Sequence, residues 1–280
     1  MDKVLTYVLL DGDPYGIKII NEGHSSEKIF VIPRAKLKSI KDRDEANFPA
    51  LYFLFGDVED ETKPGVYIGE TENFYKRLID HESKKTFWEW AVVFVGGLDK
   101  ADVRYLENKA VQEAVKNDRY IITNENSRNE NMLSESKKIT ADGYFSYAKF
   151  VMAVLGYKLF ESVPKDNHKT EDIYCINNNG IEAKGALLDT GEFIIFKGST
   201  ARLIEVPSLT GTGSSKLRQL MSREDDGRLK KISDDAYQFT DDVIFTSPSL
   251  AATVVIGRSS NGWIYWKDEQ GKTLDENKRK

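Results

Sequence analysis

Apolar positions follow two rhythms along this chain, and their alternation predicts most of its elements. Thr6–Leu10, Gly16–Ile20 and Lys28–Pro33 are short β-prone runs separated by turn clusters at 11–14 and 21–26. Ala35–Ala46 is polar, with Leu37 and Ile40 three apart, which predicts an exposed helix. Two apolar runs, Leu51–Phe55 and Gly65–Gly69, flank an acidic loop at 56–64 that still permits a hairpin. Asn73–Ser83 predicts a helix capped by Thr71 or Asn73, with Phe74 and Leu78 as an i, i+4 pair. Ala91–Gly97 is an unbroken apolar run suited to the centre of a sheet. Asp102–Lys116 predicts a second helix, and Tyr120–Thr123 a further strand. The order β-β-α-β-α-β implies a compact α/β unit of about a hundred residues.

Beyond it the pattern changes. Residues 124–143 are polar and aperiodic, which predicts a long surface loop. Tyr144–Phe160 returns to helical spacing, with Phe145, Phe150, Val151, Val154, Leu155 and Leu159 on one broad face. Residues 162–172 (SVPKDNHKTED) make the best linker in the chain. After it, Gly185–Leu188 and Phe193–Lys197 predict strands around the turn Asp189-Thr190-Gly191. Ser215–Ser222 and Ser247–Gly257 predict helices, the latter capped by Ser247 or Ser249. The close, from Asn261, resembles a hairpin turning at Asp268–Gly271. The resulting division is a β-rich extension (1–46), a mixed-sheet domain with its C-terminal helix (47–161), a linker (162–172) and a second domain (173–280). The expected fold class is α+β throughout.

Composition narrows the setting. Apolar residues make up 40% of the 280, enough for a core, and charged residues make up 30% with mixed sign, which argues against disorder. No apolar run reaches the roughly 18 residues needed to cross a bilayer, and no secretory signal is visible. The lone Cys175 excludes an internal disulfide framework and a multi-cysteine zinc site. A soluble, cytoplasmic protein is expected. The 40 basic and 45 acidic residues leave a net charge of −5, and neither end nor middle is cationic. Charge alone therefore leans away from nucleic acid.

Two features break the pattern. Glu107 falls inside the apolar stripe Val103, Leu106, Ala110, Val111 and Ala114, where a bare buried carboxylate costs several kcal/mol. A stripe-edge Glu paired with Arg or Lys satisfies that pattern, and so does a metal ligand. Arg77 and His81 share one face of the preceding helix, and Arg suits a bidentate grip on phosphate. A solvated face accounts for them equally. His24 and His168 are the other histidines, both in loops.

Taken together, these residues resemble the GIY-YIG nuclease domain. Its second motif is present as Tyr67-Ile68-Gly69 within GVYIGET, and its first as Ala50-Leu51-Tyr52 within PALYFLFG. A helix with a fixed Arg follows, matched by Arg77 and then His81; a later helix carries a metal-binding Glu, matched by Glu107; a final Asn is matched by Asn124. The segment ending in VIPRAKLK resembles the leader of a bacterial subgroup of that family. The C-terminal tail resembles a domain of unknown function commonly fused to that subgroup. Ala50 stands where the family has Gly. If that position holds φ > 0 the change costs about a kcal/mol; in an ordinary strand it is nearly neutral.

The resemblance implies a small mixed sheet flanked by helices and a metal-dependent endonuclease acting on DNA, with RNA also chemically open to it. Glu107 would bind Mg²⁺ or Mn²⁺, Arg77 would hold the phosphoryl oxygens, and Tyr52 would activate water beside Tyr67. His81 would assist proton transfer, and Asn124 would orient its loop or Glu107. The C-terminal domain would recognise the target or a protein partner. The alternative is a module that binds nucleic acid or protein without cutting. Arg258 with Trp263, Tyr265 and Trp266 fits a stacking surface, but alternation in a hairpin core explains those aromatics better.

Overall fold

The computed structural model describes residues 2–23, 27–59, 63–124, 133–161, 173–224 and 226–279. His24, His168 and the linker 162–172 lie outside them. The chain divides into two compact units, Met1–Val163 and Pro164–Lys280, and both are mixtures of sheet and helix. Among the described residues no helix is long and apolar enough to cross a membrane.

The first unit is built on a seven-stranded sheet. Its strands are β1 (Leu5–Leu9), β2 (Lys18–Glu22), β3 (Lys28–Pro33), β4 (Ala50–Gly56), β5 (Gly65–Thr71), β6 (Trp88–Val95) and β7 (Ile121–Ile122). They lie in the order β1-β2-β3-β6-β4-β5-β7, antiparallel except for the β5–β7 pair. The strands of the first 46 residues thus share a sheet with those that follow, because β3 pairs with β6.

The unbroken run ALYFLF makes β4 a central strand buried on both faces, since successive side chains point to opposite sides. Leu51, Phe53 and Phe55 pack into one core, while Ala50, Tyr52 and Leu54 pack into another. Two helices cover the first core: α2 (Lys100–Asn117), through Leu106, Ala110 and Ala114, and α3 (Glu135–Val154), through Phe145, Ala148 and Val151. The second is covered by α1 (Phe74–Lys84), through Phe74 and Leu78. Helix α1 starts where the Asn73 side chain accepts from the Lys76 amide, and α2 starts on a capping box between Asp99 and Asp102.

Three expectations are corrected. Residues 35–46 form two 3-10 turns, over Arg34–Ile40 and Asp44–Asn47, and Leu37, Ile40 and Ala46 are buried. The three-residue spacing of Leu37 and Ile40 is the 3-10 repeat, which stacks them on one side. Helix α3 begins at Glu135, so part of the expected 124–143 loop is helical; its first turns are exposed and leave no apolar period to read. It stops at Val154, before Gly156 with φ +85°, and Leu159 packs into the core from beyond the helix.

The second unit has a four-stranded antiparallel sheet in the order β14-β10-β9-β8 and a three-stranded one in the order β11-β13-β12. These are β8 (Ile173–Asn178), β9 (Ile181–Leu187), β10 (Phe193–Ile195), β11 (Thr200–Arg202), β12 (Leu229–Lys231), β13 (Ala236–Phe239) and β14 (Val243–Phe245). The apolar helix α5 (Pro248–Ile256), capped by Ser247, is the centre of its core, with α4 (Gly213–Met221) beside it. The expected closing hairpin is corrected in its first half: Gly262–Tyr265 is a one-turn helix, α6, while Lys267 and Thr273 do pair around the turn. A short helix, α7 (Leu274–Lys278), ends the unit. Trp266 is fully buried, stacks on Phe193 at 4.4 Å and donates its indole N–H to the Pro248 carbonyl. Trp266 therefore belongs to the core, not to a stacking surface.

Candidate active site

Four of the six residues singled out above meet on the α1 side of the sheet. Tyr52 leaves β4 toward α1 and is completely buried. Its hydroxyl lies 2.8 Å from His81 Nε2 and accepts from Arg77 Nε–H at 3.2 Å. Since Arg77 can only donate, the tyrosine proton is free to point at His81, a roles assignment consistent with neutral imidazole. Tyr67 completes the group from β5: its ring centroid is 4.9 Å from that of His81 and 6.1 Å from that of Tyr52. Arg77 and His81 reach inward together because they are one helical turn apart on α1.

Glu107 is buried at 6% exposure on α2, inside the apolar stripe as its spacing predicted. Its charge acts on the Tyr52 hydroxyl, opposing ionisation there. Asn124 lies away from the hydroxyl cluster. Its side-chain amide accepts from Ile68 N–H at 3.1 Å and donates to the Ile68 carbonyl at 2.7 Å. It thereby holds the residue between Tyr67 and Gly69 in place, extending the short β5–β7 pairing by one side chain.

The electrostatics set who can hold a proton. Burial pushes the Tyr52 phenol far above its ordinary value; Tyr67 adds to the rise, and Arg77 only partly offsets it. His81 moves the other way, down to about 4, because of burial and the cations Arg77 and Lys85. The imidazole is therefore neutral at pH 7. Its Nδ1 is buried and without a hydrogen-bond partner. Burial weakens the charge of Arg77, but Tyr52 and then Tyr67 outweigh it and the guanidinium is held more firmly protonated.

Two further residues shape the site. Gly69 stands directly across from Tyr52 on β5, and a Cβ there would lie 2.3 Å from the Tyr52 hydroxyl oxygen. Only glycine leaves room for that hydroxyl. Lys85, at the end of α1, sets its ammonium 4.3 Å from the centre of the Tyr67 ring. The sequence holds its signal: Arg77 and His81 share one helix face, and Lys85 follows four residues later as the C-cap. Ala50 is not among the residues with positive φ and pairs regularly with Thr71 and Val95. The strained alternative for that position falls away.

Comparison with known proteins assigns a family only to the second unit. Residues 173–278 match the family model described as Domain of unknown function (DUF4357). The tail therefore carries that domain. No curated protein and no solved structure matches the chain.

Proposed function

We propose that the chain is a metal-dependent endonuclease that hydrolyses DNA phosphodiester bonds at the Tyr52–Tyr67–Arg77–His81 cluster, with Glu107 as its metal ligand. The observation that carries this reading is the Tyr52 hydroxyl, held between the Arg77 guanidinium, which donates to it, and the His81 imidazole.

The donor set fits one kind of cation. Among the described residues no group of three or more His, Cys, Asp or Glu could hold a metal, so the site does not offer a closed cage. A single carboxylate suits Mg²⁺ or Mn²⁺, which keep water ligands and bind substrate phosphate. Bound at Glu107, such an ion would supply charge stabilisation at the phosphate and the leaving oxygen.

The chain's own residues then divide the work. A resting Tyr52 phenolate is excluded by its burial, so Tyr52 acts as a relay. Its hydroxyl takes a proton from the attacking water while giving its own to His81 Nε2. Arg77, fixed at that hydroxyl and partly exposed, can turn its remaining donors to the non-bridging oxygens as charge builds. Asn124 positions the Tyr67-Ile68-Gly69 segment. Recognition of a target or partner falls to the second unit, and RNA is a substrate that the same chemistry would accept.

The test is nicking of supercoiled plasmid with Mg²⁺ or Mn²⁺ by wild type and by Glu107→Ala. Metal-dependent nicking lost in the variant is expected; no nicking by wild type, or equal nicking by both, overturns the reading. A second reading, binding without cutting, rests on the complete burial of Tyr52 and the net charge of −5. Salt-sensitive DNA binding that never leads to cleavage, and is unchanged in Glu107→Ala, would select it.

A further inference from the structure

Lys85 stands out among the cations of the first unit. Lysines elsewhere in it find carboxylates: Lys28 meets Glu45, Lys100 meets Glu72 and Lys149 meets Glu113. Among the described residues Lys85 makes no ion pair, and its ammonium instead sits 4.3 Å from the centre of the Tyr67 ring. A cation–π contact leaves the three N–H donors of an ammonium unspent.

The fold holds this lysine in place. Lys85 caps the C-terminus of α1, its backbone N–H donating to the His81 carbonyl. Arg34, from the first 3-10 turn, donates to the carbonyls of Glu82, Thr86 and Trp88 and so brackets Lys85 on both sides. Lys85 itself is half-buried. With burial and Arg77 ahead of it, its charge is among the causes that hold His81 low. Arg77 and Lys85 are eight residues apart, about 12 Å along a helix axis. Both side chains nevertheless turn to the tyrosines, one at the Tyr52 hydroxyl and the other over the Tyr67 ring.

We propose that Lys85 is a DNA-binding residue of this site and holds a backbone phosphate flanking the one gripped by Arg77. The identity of the partner rests on the nuclease reading. Lysine suits a flanking phosphate, as a point charge with three rotatable donors that needs no fixed approach. The planar fork of Arg77 suits the phosphate that reacts. Two cations without carboxylates, set apart along one helix, fit a polyanion better than a lone anion. The net charge of −5 gives the chain little general attraction for DNA. Affinity must then come from a few placed cations, and Lys85 is one.

Equilibrium binding of a labelled DNA duplex to the full chain, in metal-free buffer where cleavage does not intervene, reads this contact. Each neutralised phosphate contributes about 0.9 to the slope of log affinity against log salt. Lys85→Met keeps the stem and removes the charge. It should lower the slope by about that amount and weaken binding about tenfold at low salt. Lys85→Arg should restore both. Lys116→Met, which removes an exposed cation in the last turn of α2, should change neither. An unchanged slope in Lys85→Met, an equal loss in Lys116→Met, or no DNA binding by wild type overturns the proposal. Should Lys85→Met disturb the end of α1, Lys85→Gln repeats the measurement. The two readings fail separately. A reduced slope without plasmid nicking by wild type removes the catalytic reading and keeps Lys85 as a phosphate ligand. Glu107-dependent nicking with an unchanged slope removes only the role of Lys85.

Discussion

Arg77 and Arg218 are both drawn into apolar surroundings, one in each compact unit, but their donors go to different kinds of partner. Arg218 is 3% exposed, and its guanidinium donates to the backbone carbonyls of Val254, Arg202 and Leu203, with Glu205 at 3.7 Å. Those bonds tie α4 to α5 and to the C-terminal end of β11. Arg77 is only partly buried and meets side chains, Tyr52 above all, that can themselves exchange a proton. A buried cation saturated by carbonyls is a strut. One that shares a titratable hydroxyl with a neutral histidine, and still touches solvent, can do chemistry. The two faces of the seven-stranded sheet also differ: one packs Leu51, Phe53 and Phe55 against α2 and α3, the other carries the polar cluster beneath α1.

The contrast can be broken by mutation. The largest expected effect is that of Gly69→Ala, whose methyl would enter the space of the Tyr52 hydroxyl. Displacing that hydroxyl should lower the nicking rate by about 10²–10⁴-fold, the size of a lost acid–base contribution, as measured in single-turnover plasmid assays. A Gly69→Ala protein that nicks normally would show that the hydroxyl's position is not critical.

Next come the two arginines as a pair. Arg218→Ala leaves buried carbonyls and Glu205 without their cation and should cost about 3–5 kcal/mol of unfolding free energy. Arg77→Ala should cost about 1 kcal/mol or less in stability, since its site is partly exposed, yet about 10²–10³-fold in nicking. Denaturant unfolding and activity together resolve the crossover. If both variants lose stability alike, the distinction between strut and working group is wrong.

A smaller effect follows from pH. The folded His81 value of about 4 lies below the unfolded value of about 6.5, so the native state binds fewer protons. Stability is fully present above the unfolded value and falls as pH drops from there toward 4. The loss between pH 7 and pH 5 should be about 2 kcal/mol, and His81→Gln should remove that part of the slope. The acid limb of nicking should likewise fall near pH 4 rather than 6.5. The smallest effect expected is that of Asn124→Ala, which frees both hydrogen-bonding groups of Ile68 at a cost of about 1–2 kcal/mol, with activity falling only as far as Tyr67 moves.

How much of this was legible beforehand depends on distance along the chain. Tyr67, Arg77 and His81 lie within fifteen residues, so their spacing alone puts them on one strand and one helix turn. Glu107 was legible as a flaw in an apolar stripe, and burial bears that out. The importance of Gly69 was not legible, because it depends on which β4 residue the hairpin register sets opposite it. Nor was the start of α3: exposed residues carry no apolar period, so its first turns read as loop. Leu37 and Ile40 gave their spacing but not their burial, which a sheet assembled from distant strands supplies. In the second unit the short strands β11, β12 and β14, each of three residues, were too brief to show alternation.

The central claim is that the Tyr52 hydroxyl relays a proton during strand cleavage, and Tyr52→Phe tests it most directly. Phenylalanine keeps the buried ring and removes only the oxygen between Arg77 and His81. The single-turnover nicking rate with Mg²⁺ should fall by about 10²–10⁴-fold, with DNA affinity and the thermal midpoint little changed. A Tyr52→Phe protein that nicks plasmid as fast as wild type would contradict the account.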